Sequence, residues 1–222
     1  MHDKIALFDF CETLTDFQTA DAYVDFVRER IGDSRSFRWE RFRNLLVKTK
    51  IASILSRLFP DASMPKKIKL QQLKGFSEEE LKDQAYSYYQ ERIRPHFIRP
   101  AIQQLYNLQA EGYRVGLVSG GYSIYLCYFA EEFHLDFVIS SKIAFDDNKI
   151  CTGRLAGKDC MNHNKVRMLD EFFLERPGES IAVSDSKSDL PLLRYASQGV
   201  VISHLTHQKW IDNYHFEELI WG

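Results

Sequence analysis

A chain of 222 residues with 45% hydrophobic and 27% charged positions is too apolar for a disordered segment and too mixed for a fibrous one. It is long enough to bury a sizeable core. The net charge of −2 excludes no class of partner by itself, but no apolar run approaches the roughly 20 residues that a membrane span needs.

The four cysteines, Cys11, Cys127, Cys151 and Cys160, show no close-paired metal spacing such as Cys-x-x-Cys. Met1-His2-Asp3-Lys4 leads straight into a short strand, with no secretory leader expected. Reduced thiols in a cytoplasmic protein are the expectation.

In chain order, Lys4-Ile5-Ala6-Leu7-Phe8 reads as a buried strand ending on Asp9, with polar turn chemistry directly after it. Open α/β folds place their ligands at such carboxyl strand ends. A carboxylate at that point suits a nucleophile, a metal ligand or a helix cap. Helical spacing runs from Asp21 to Glu29, breaks at Gly32-Asp33-Ser34, and resumes from about Ser36 to Leu58. Pro65-Lys66-Lys67 opens a further short helix. Ser77, with Glu80 three residues on, is a capping box for a helix to about Arg92. Arg94-Pro95 and Arg99-Pro100 bracket a linker. Residues 16–97 thus read as an all-helical insertion, and residues 1–15 and 98–222 as the α/β core. Between Arg28 and Lys74 thirteen lysines and arginines face four acids. That suits either an anionic substrate or partner, or simply a solvated helical face.

After Pro100 the rhythm becomes α/β. A helix to about Ala110 precedes a buried strand from Tyr113 to Val118, and Ser119-Gly120-Gly121 is expected to turn into a helix reaching Phe133. A strand follows from Asp136 to Ser140, then a β-hairpin with strands at 143–145 and 150–152. A helix spans about Asn162 to Leu174, a strand Ser180 to Ser184 ends on Asp185, and a short helix covers Leu190 to Tyr195. The last expected strand is Gly199 to Ser203. Alternation of this kind implies a parallel sheet with right-handed crossovers.

Three of these strands end in polar residues at one sheet edge: Asp9, Ser119 and Asp185. Lys165 lies near the start of the helix between the last two. In that order the residues resemble the haloacid dehalogenase (HAD) superfamily, and within it the phosphoserine-phosphatase-like branch. Asp9-Phe10-Cys11-Glu12-Thr13 stands where that family has Asp-x-Asp-x-Thr. Val118-Ser119-Gly120-Gly121-Tyr122 matches its second motif, Lys165 in Asn164-Lys165-Val166 its third, and Ser184-Asp185-Ser186-Lys187-Ser188-Asp189 its acidic fourth. The resemblance covers residues 1–15 and 98–222; for the insertion only its position and helical character match.

The resemblance implies a Rossmann-like core with a helical cap after the first strand, and Mg²⁺-dependent hydrolysis of a small phosphorylated substrate, with no nucleic acid involved. Asp9 would be the nucleophile, passing through an aspartyl-phosphate. Asp9, Asp185 and the Cys11 carbonyl would hold Mg²⁺, and Asp189 would orient a metal water or Lys165. Ser119, Gly120, Gly121 and Lys165 would bind phosphate, the glycines at a helix N-terminus where unpaired N–H groups favour an anion. Arg35, Arg38, Trp39, Arg41, Phe42 and Arg43 suit either the substrate pocket or the outer face of the cap.

The departure from the family is Cys11, where most of its phosphatases carry a second Asp that protonates the leaving alkoxide and then deprotonates water. A thiol near pKa 8.5 can donate but is a poor base once spent. Glu12, and more weakly Asp16, are the nearby carboxylates that could replace it. A relative that binds phosphate or phosphoglycan without turnover, and a phosphonate hydrolase using a cap lysine, stay open as alternatives.

Overall fold

The computed structural model describes residues 4–32 and 63–222. The expected helix from Ser36 to Leu58 and the candidates Arg35, Arg38, Trp39, Arg41, Phe42 and Arg43 lie outside the described residues, as does most of the basic stretch.

Strand β1 (Lys4–Phe8) sits in the middle of a six-stranded sheet, with β2 (Arg114–Tyr122) and β3 (Phe137–Ser141) on one side. On the other side lie β6 (Glu179–Ser184), β7 (Gln198–His204) and β8 (Glu217–Trp221), giving the order β3-β2-β1-β6-β7-β8. Every pairing is parallel. The strand order reverses at β1, which puts a crevice beyond its carboxyl end. The sheet is covered on both faces because β1 alternates its side chains. Ala6 and Phe8 join one buried cluster with Leu117, Val183 and Leu105, while Ile5 and Leu7 join another with Ala182, Leu169 and Leu192.

Between β1 and β2 the described chain is helical. It forms α1 (Thr19–Ile31), α2 (Ser63–Leu70) and α3 (Glu78–Tyr88), which continues through a π-helical turn at Tyr89–Ile93. The segments that leave and rejoin the core lie side by side: the Ile98 amide donates to the Leu14 carbonyl at 2.9 Å, and the Asp16 amide to that of His96 at 3.1 Å. Tyr23 and Tyr88 of these helices meet Tyr125 of α5 (Ser123–Glu132) at ring-centroid distances of 5.3 and 5.4 Å. The inserted helices therefore share one apolar cluster with the sheet.

The capping box at α3 is formed as the sequence suggests. The Glu80 amide donates to Ser77 Oγ at 3.2 Å, and the Glu80 carboxylate accepts the Ser77 amide at 2.7 Å. Ser77→Ala is expected to cost about 1 kcal/mol in chemical denaturation.

Past β3, strands β4 (Ile143–Phe145) and β5 (Cys151–Leu155) form the expected antiparallel hairpin. The Asp146 carboxylate closes its turn by accepting the amides of Asn148 and Ile150. Helices α4 (Arg99–Ala110), α6 (His163–Phe172) and α7 (Leu190–Tyr195) complete the crossovers.

Two expectations differ from the structure. Strand β2 runs on to Tyr122 with a register shift against β3 between Ser119 and Tyr122, and α5 begins only at Ser123. Ser119, Gly120 and Gly121 therefore sit in an irregular strand end, not at a helix N-terminus. Strand β8 was not expected at all; its Glu217-Glu218 start and partial exposure hide it from an apolar-run criterion.

Candidate active site

Asp9 follows the last residue of β1, and its amide is bonded to the Val183 carbonyl of β6 at 2.9 Å. It is 7% exposed, and its carboxylate lies 2.8 Å from Lys165 Nζ. The same ammonium donates to Asp189 at 2.6 Å, and Ser184 Oγ donates to that carboxylate at 2.8 Å. One buried lysine thus bridges two buried carboxylates supplied by β1 and by the turn after β6.

Burial pushes the Asp9 carboxyl up to about 6, against the pull of the Lys165 charge. Burial opposes the charged form of Lys165 as well, but the charges of Asp9 and Asp189 outweigh it and raise its affinity for the proton.

Asp185 is held by Thr13. Thr13 Oγ1 donates to its carboxylate at 3.0 Å and accepts its backbone amide at 3.0 Å. Burial, then the charge of Asp9, pushes Asp185 up to about 7. Thr13 stood in the first motif with no role of its own; only the fold, which brings it to a partner 172 positions away, reveals what it touches.

Asp9, Lys165, Asp185 and Asp189 line one cavity of about 250 Å³ together with Cys11, Glu12, Ser119 and Gly120. Gly121 is not among its lining residues, but its amide donates to Ser119 Oγ at 3.2 Å. Both glycines are there for space. A Cβ on Gly120 would lie 2.9 Å from Met161 Cγ, and one on Gly121 2.8 Å from the Tyr125 hydroxyl.

Glu12 is exposed in a left-handed turn at φ 57° and accepts a hydrogen bond from Gln18, so it stands at the rim. Asp16 is bonded to His96 Nδ1 at 2.9 Å and is not among the lining residues. Cys11 Sγ accepts the Thr19 amide at 3.4 Å and lies 3.1 Å from Thr19 Oγ1, which is itself 2.9 Å from the Tyr125 hydroxyl. Burial and the charge of Asp9 push the thiol up to about 11, so at neutral pH it is a proton donor.

Lys66, on α2, also lines the cavity. Sequence reading gave it no role, since nothing in a run of basic residues distinguishes the one that turns inward.

A divalent cation fits this donor set by its chemistry. Asp9 is buried and Asp185 half-buried, and the charge of Asp9 raises the proton affinity of Asp185, so a cation between them would relieve that repulsion. Among the described residues no three His, Cys, Asp or Glu side chains form a metal cluster. Two carboxylates supplemented by carbonyl and water oxygens suit Mg²⁺, which keeps several waters, better than Zn²⁺. No helix among the described residues is long and apolar enough to cross a membrane.

Residues 6–194 match the family described as haloacid dehalogenase-like hydrolase. Among curated relatives, the chain is 28% identical to the phosphoserine phosphatase of Lactococcus lactis subsp. lactis (strain IL1403) over 55% of this chain, and spans 58% of that relative's length. It is 26% identical to the phosphoserine phosphatase of Albidiferax ferrireducens, over 89% of this chain and 77% of the relative. In fold it resembles a protein of unknown function from Bordetella pertussis Tohama I, with TM-score 0.80 and 21% identity over 99% of both chains. The chain belongs to the haloacid dehalogenase-like hydrolase family, and its similarity within that family is to phosphoserine phosphatases.

Proposed function

We propose that the protein is a Mg²⁺-dependent phosphatase that hydrolyses a phosphomonoester of a small or medium anionic metabolite through an aspartyl-phosphate on Asp9. The observation that carries this reading is the Lys165 ammonium bridging Asp9 and Asp189 at 2.8 and 2.6 Å in a cavity shared with Ser119 and Asp185. Attack of a carboxylate on a phosphate dianion brings like charges together, and this arrangement opposes that repulsion with a fixed cation.

Asp9 attacks phosphorus while the alkoxide leaves on the opposite side, and Lys165 stays beside the phosphorylated carboxyl. The Ser119 hydroxyl and the Gly120 amide bind the transferring phosphoryl oxygens, while the Gly121 amide donates to Ser119 Oγ. Mg²⁺, held by the carboxylates of Asp9 and Asp185 and the Cys11 carbonyl, would supply further charge neutralisation between nucleophile and phosphate. The alkoxide takes its proton from Cys11 or from Glu12 at the rim. A cavity of about 250 Å³ favours a small ester over a polymer end. The four unbridged cysteines support a reducing, cytoplasmic setting.

The rival within the family is a phosphate- or phosphoglycan-binding relative without turnover, favoured by the thiol at position 11. Phosphonate cleavage through an imine on Lys66, the cap lysine among the described residues that lines the cavity, finds less support. Lys66 offers its three hydrogens to three acceptors, Gly120 O, Ser141 Oγ and Asp159 Oδ1, as an ammonium does, whereas imine formation needs a free amine.

The test is hydrolysis of a panel of phosphomonoesters with Mg²⁺ and after chelation, alongside beryllofluoride binding. Turnover that requires the metal supports the enzyme; inhibitor binding with no turnover across the panel supports the binding protein. Asp185→Ala is expected to weaken the Mg²⁺ titration and lower turnover by 10- to 100-fold or more, by analogy with the loss of groups that support a metal. An unchanged titration removes Asp185 from the metal site.

A further inference from the structure

Lys66 and Lys165 are the two buried lysines among the described residues. Lys165 belongs to the reacting centre; Lys66 comes from the inserted helices and is 7% exposed. Its Nζ donates to the Gly120 carbonyl, to Ser141 Oγ at 2.9 Å and to Asp159 Oδ1 at 2.5 Å, and lies 5.0 Å over the Tyr122 ring. Ser141 Oγ donates to Asp159 Oδ1 at 2.6 Å and accepts the Cys160 amide at 3.0 Å. One ammonium thereby ties α2 to the irregular end of β2, to the end of β3 and to the loop that leads into the helix bearing Lys165.

On the phosphoryl-transfer reading above, we propose that Lys66 is a positioning residue that sets the Gly120–Gly121 peptide, and through it the Ser119 hydroxyl, for phosphate binding. A trans peptide points its carbonyl and its N–H in opposite directions. Lys66 takes the Gly120 carbonyl, and the N–H of the same peptide, on Gly121, donates to Ser119 Oγ at 3.2 Å. Because that oxygen accepts from the peptide, its own hydrogen is left to donate into the cavity that Ser119 lines.

The chain of donors runs from the ammonium through the peptide to the hydroxyl, and each bond polarises the next. Two adjacent glycines have little torsional resistance to a flip of the peptide between them. A flipped peptide would turn a carbonyl oxygen towards an incoming anion; the cation opposes that flip. Asp159 keeps the ammonium in place, since a buried charge without a partner is costly. Lys66 itself has no donor left for the substrate, so its effect passes through Gly120.

The test is calorimetric titration of inorganic phosphate in the presence of Mg²⁺, with melting temperature followed in parallel. The proteins compared are wild type, Lys66→Met, and the double variant Lys66→Met/Asp159→Asn. Lys66→Met is expected to lose phosphate affinity by roughly 10- to 100-fold, the range of a charge-assisted hydrogen bond, and to melt earlier because Asp159 is left buried without its cation. The double variant removes that orphaned charge. It is expected to regain melting temperature while phosphate affinity stays low. Should Lys66→Met fail to fold, the double variant carries the comparison. A double variant that recovers both properties makes Lys66 a packing element only and overturns the proposal, as does phosphate affinity in Lys66→Met within threefold of wild type. Wild-type protein that neither binds phosphate nor turns over any ester overturns the phosphatase reading together with it.

Discussion

Asp9→Asn is expected to reduce phosphoester turnover by about three orders of magnitude or more, in a protein that is folded and no less stable at neutral pH. The amide keeps the shape of the side chain but has no anionic oxygen with which to attack phosphorus. The stability half of the expectation follows from the environment of Asp9. Burial moves its carboxyl from 3.8 up to about 6, so the fold disfavours the ionised form that the chemistry needs. As pH rises from 3.8 to about 6, the unfolded chain gives up this proton before the folded one does, and native stability declines through that window. Asparagine has no proton to give up and escapes that decline. Lys165 keeps a partner in Asp189 at 2.6 Å, so the substitution does not leave a buried cation alone.

Thermal unfolding of both proteins at pH 4 and pH 7 reads this directly: the variant should gain on wild type as pH rises. Residual activity in Asp9→Asn above a few per cent removes Asp9 as the nucleophile. A variant that fails to gain shows instead that the Lys165 pair outweighs the burial of Asp9.

How much of this was legible beforehand follows from the physics of each signal. Strands β1, β2 and β6 are short apolar runs ending on polar residues, so their identity and their shared carboxyl edge could be read without a structure. The motif order then named Asp9, Ser119, Lys165, Asp185 and Asp189, and the fold brings all five to one cavity. Strand β8 escaped because an edge strand with acids at its start carries little apolar signal. By sequence the Ser119-Gly120-Gly121 segment reads as a helix N-terminus because consecutive glycines ordinarily mark a turn; here the strand continues past them, and the glycines make room for Met161 and Tyr125.

Thr13 and Lys66 were beyond reach for a different reason. Their partners lie 172 and 93 positions away, and neither periodicity nor spacing encodes a contact at such separation. Asp16, a nearby carboxylate in sequence, turned out to face His96. Proximity along the chain says little about direction once the backbone has left the strand.

Cys11→Asp is expected to raise turnover of esters with poor leaving groups, up to the roughly 10²- to 10⁴-fold that a positioned acid–base group contributes. The pocket is already arranged for the replacement. Cys11 Sγ accepts the Thr19 amide at 3.4 Å and lies 3.1 Å from Thr19 Oγ1, and a carboxylate there would accept both hydrogens more strongly than sulfur does. The burial and the Asp9 charge that push the thiol up to about 11 act on a carboxyl in the same direction. They would lift it from about 4 towards the neutral range, where it can both give and take a proton. The thiol, held far above neutrality, can give a proton but does not readily act as the base that activates water for the second step. Nitrophenyl phosphate, whose leaving group needs no protonation, should gain less in the first step. Hydrolysis of the aspartyl-phosphate can limit both substrates, so pre-steady-state bursts should be recorded with each: a burst in wild type that disappears in Cys11→Asp marks relief of the second step. Cys11→Ala tests the thiol itself, and a small loss would show that it contributes little. If Cys11→Asp leaves both substrates unchanged or slower, position 11 does not carry the missing acid–base group. The proton must then come from Glu12 or from the substrate, or the protein binds phosphate without turning it over.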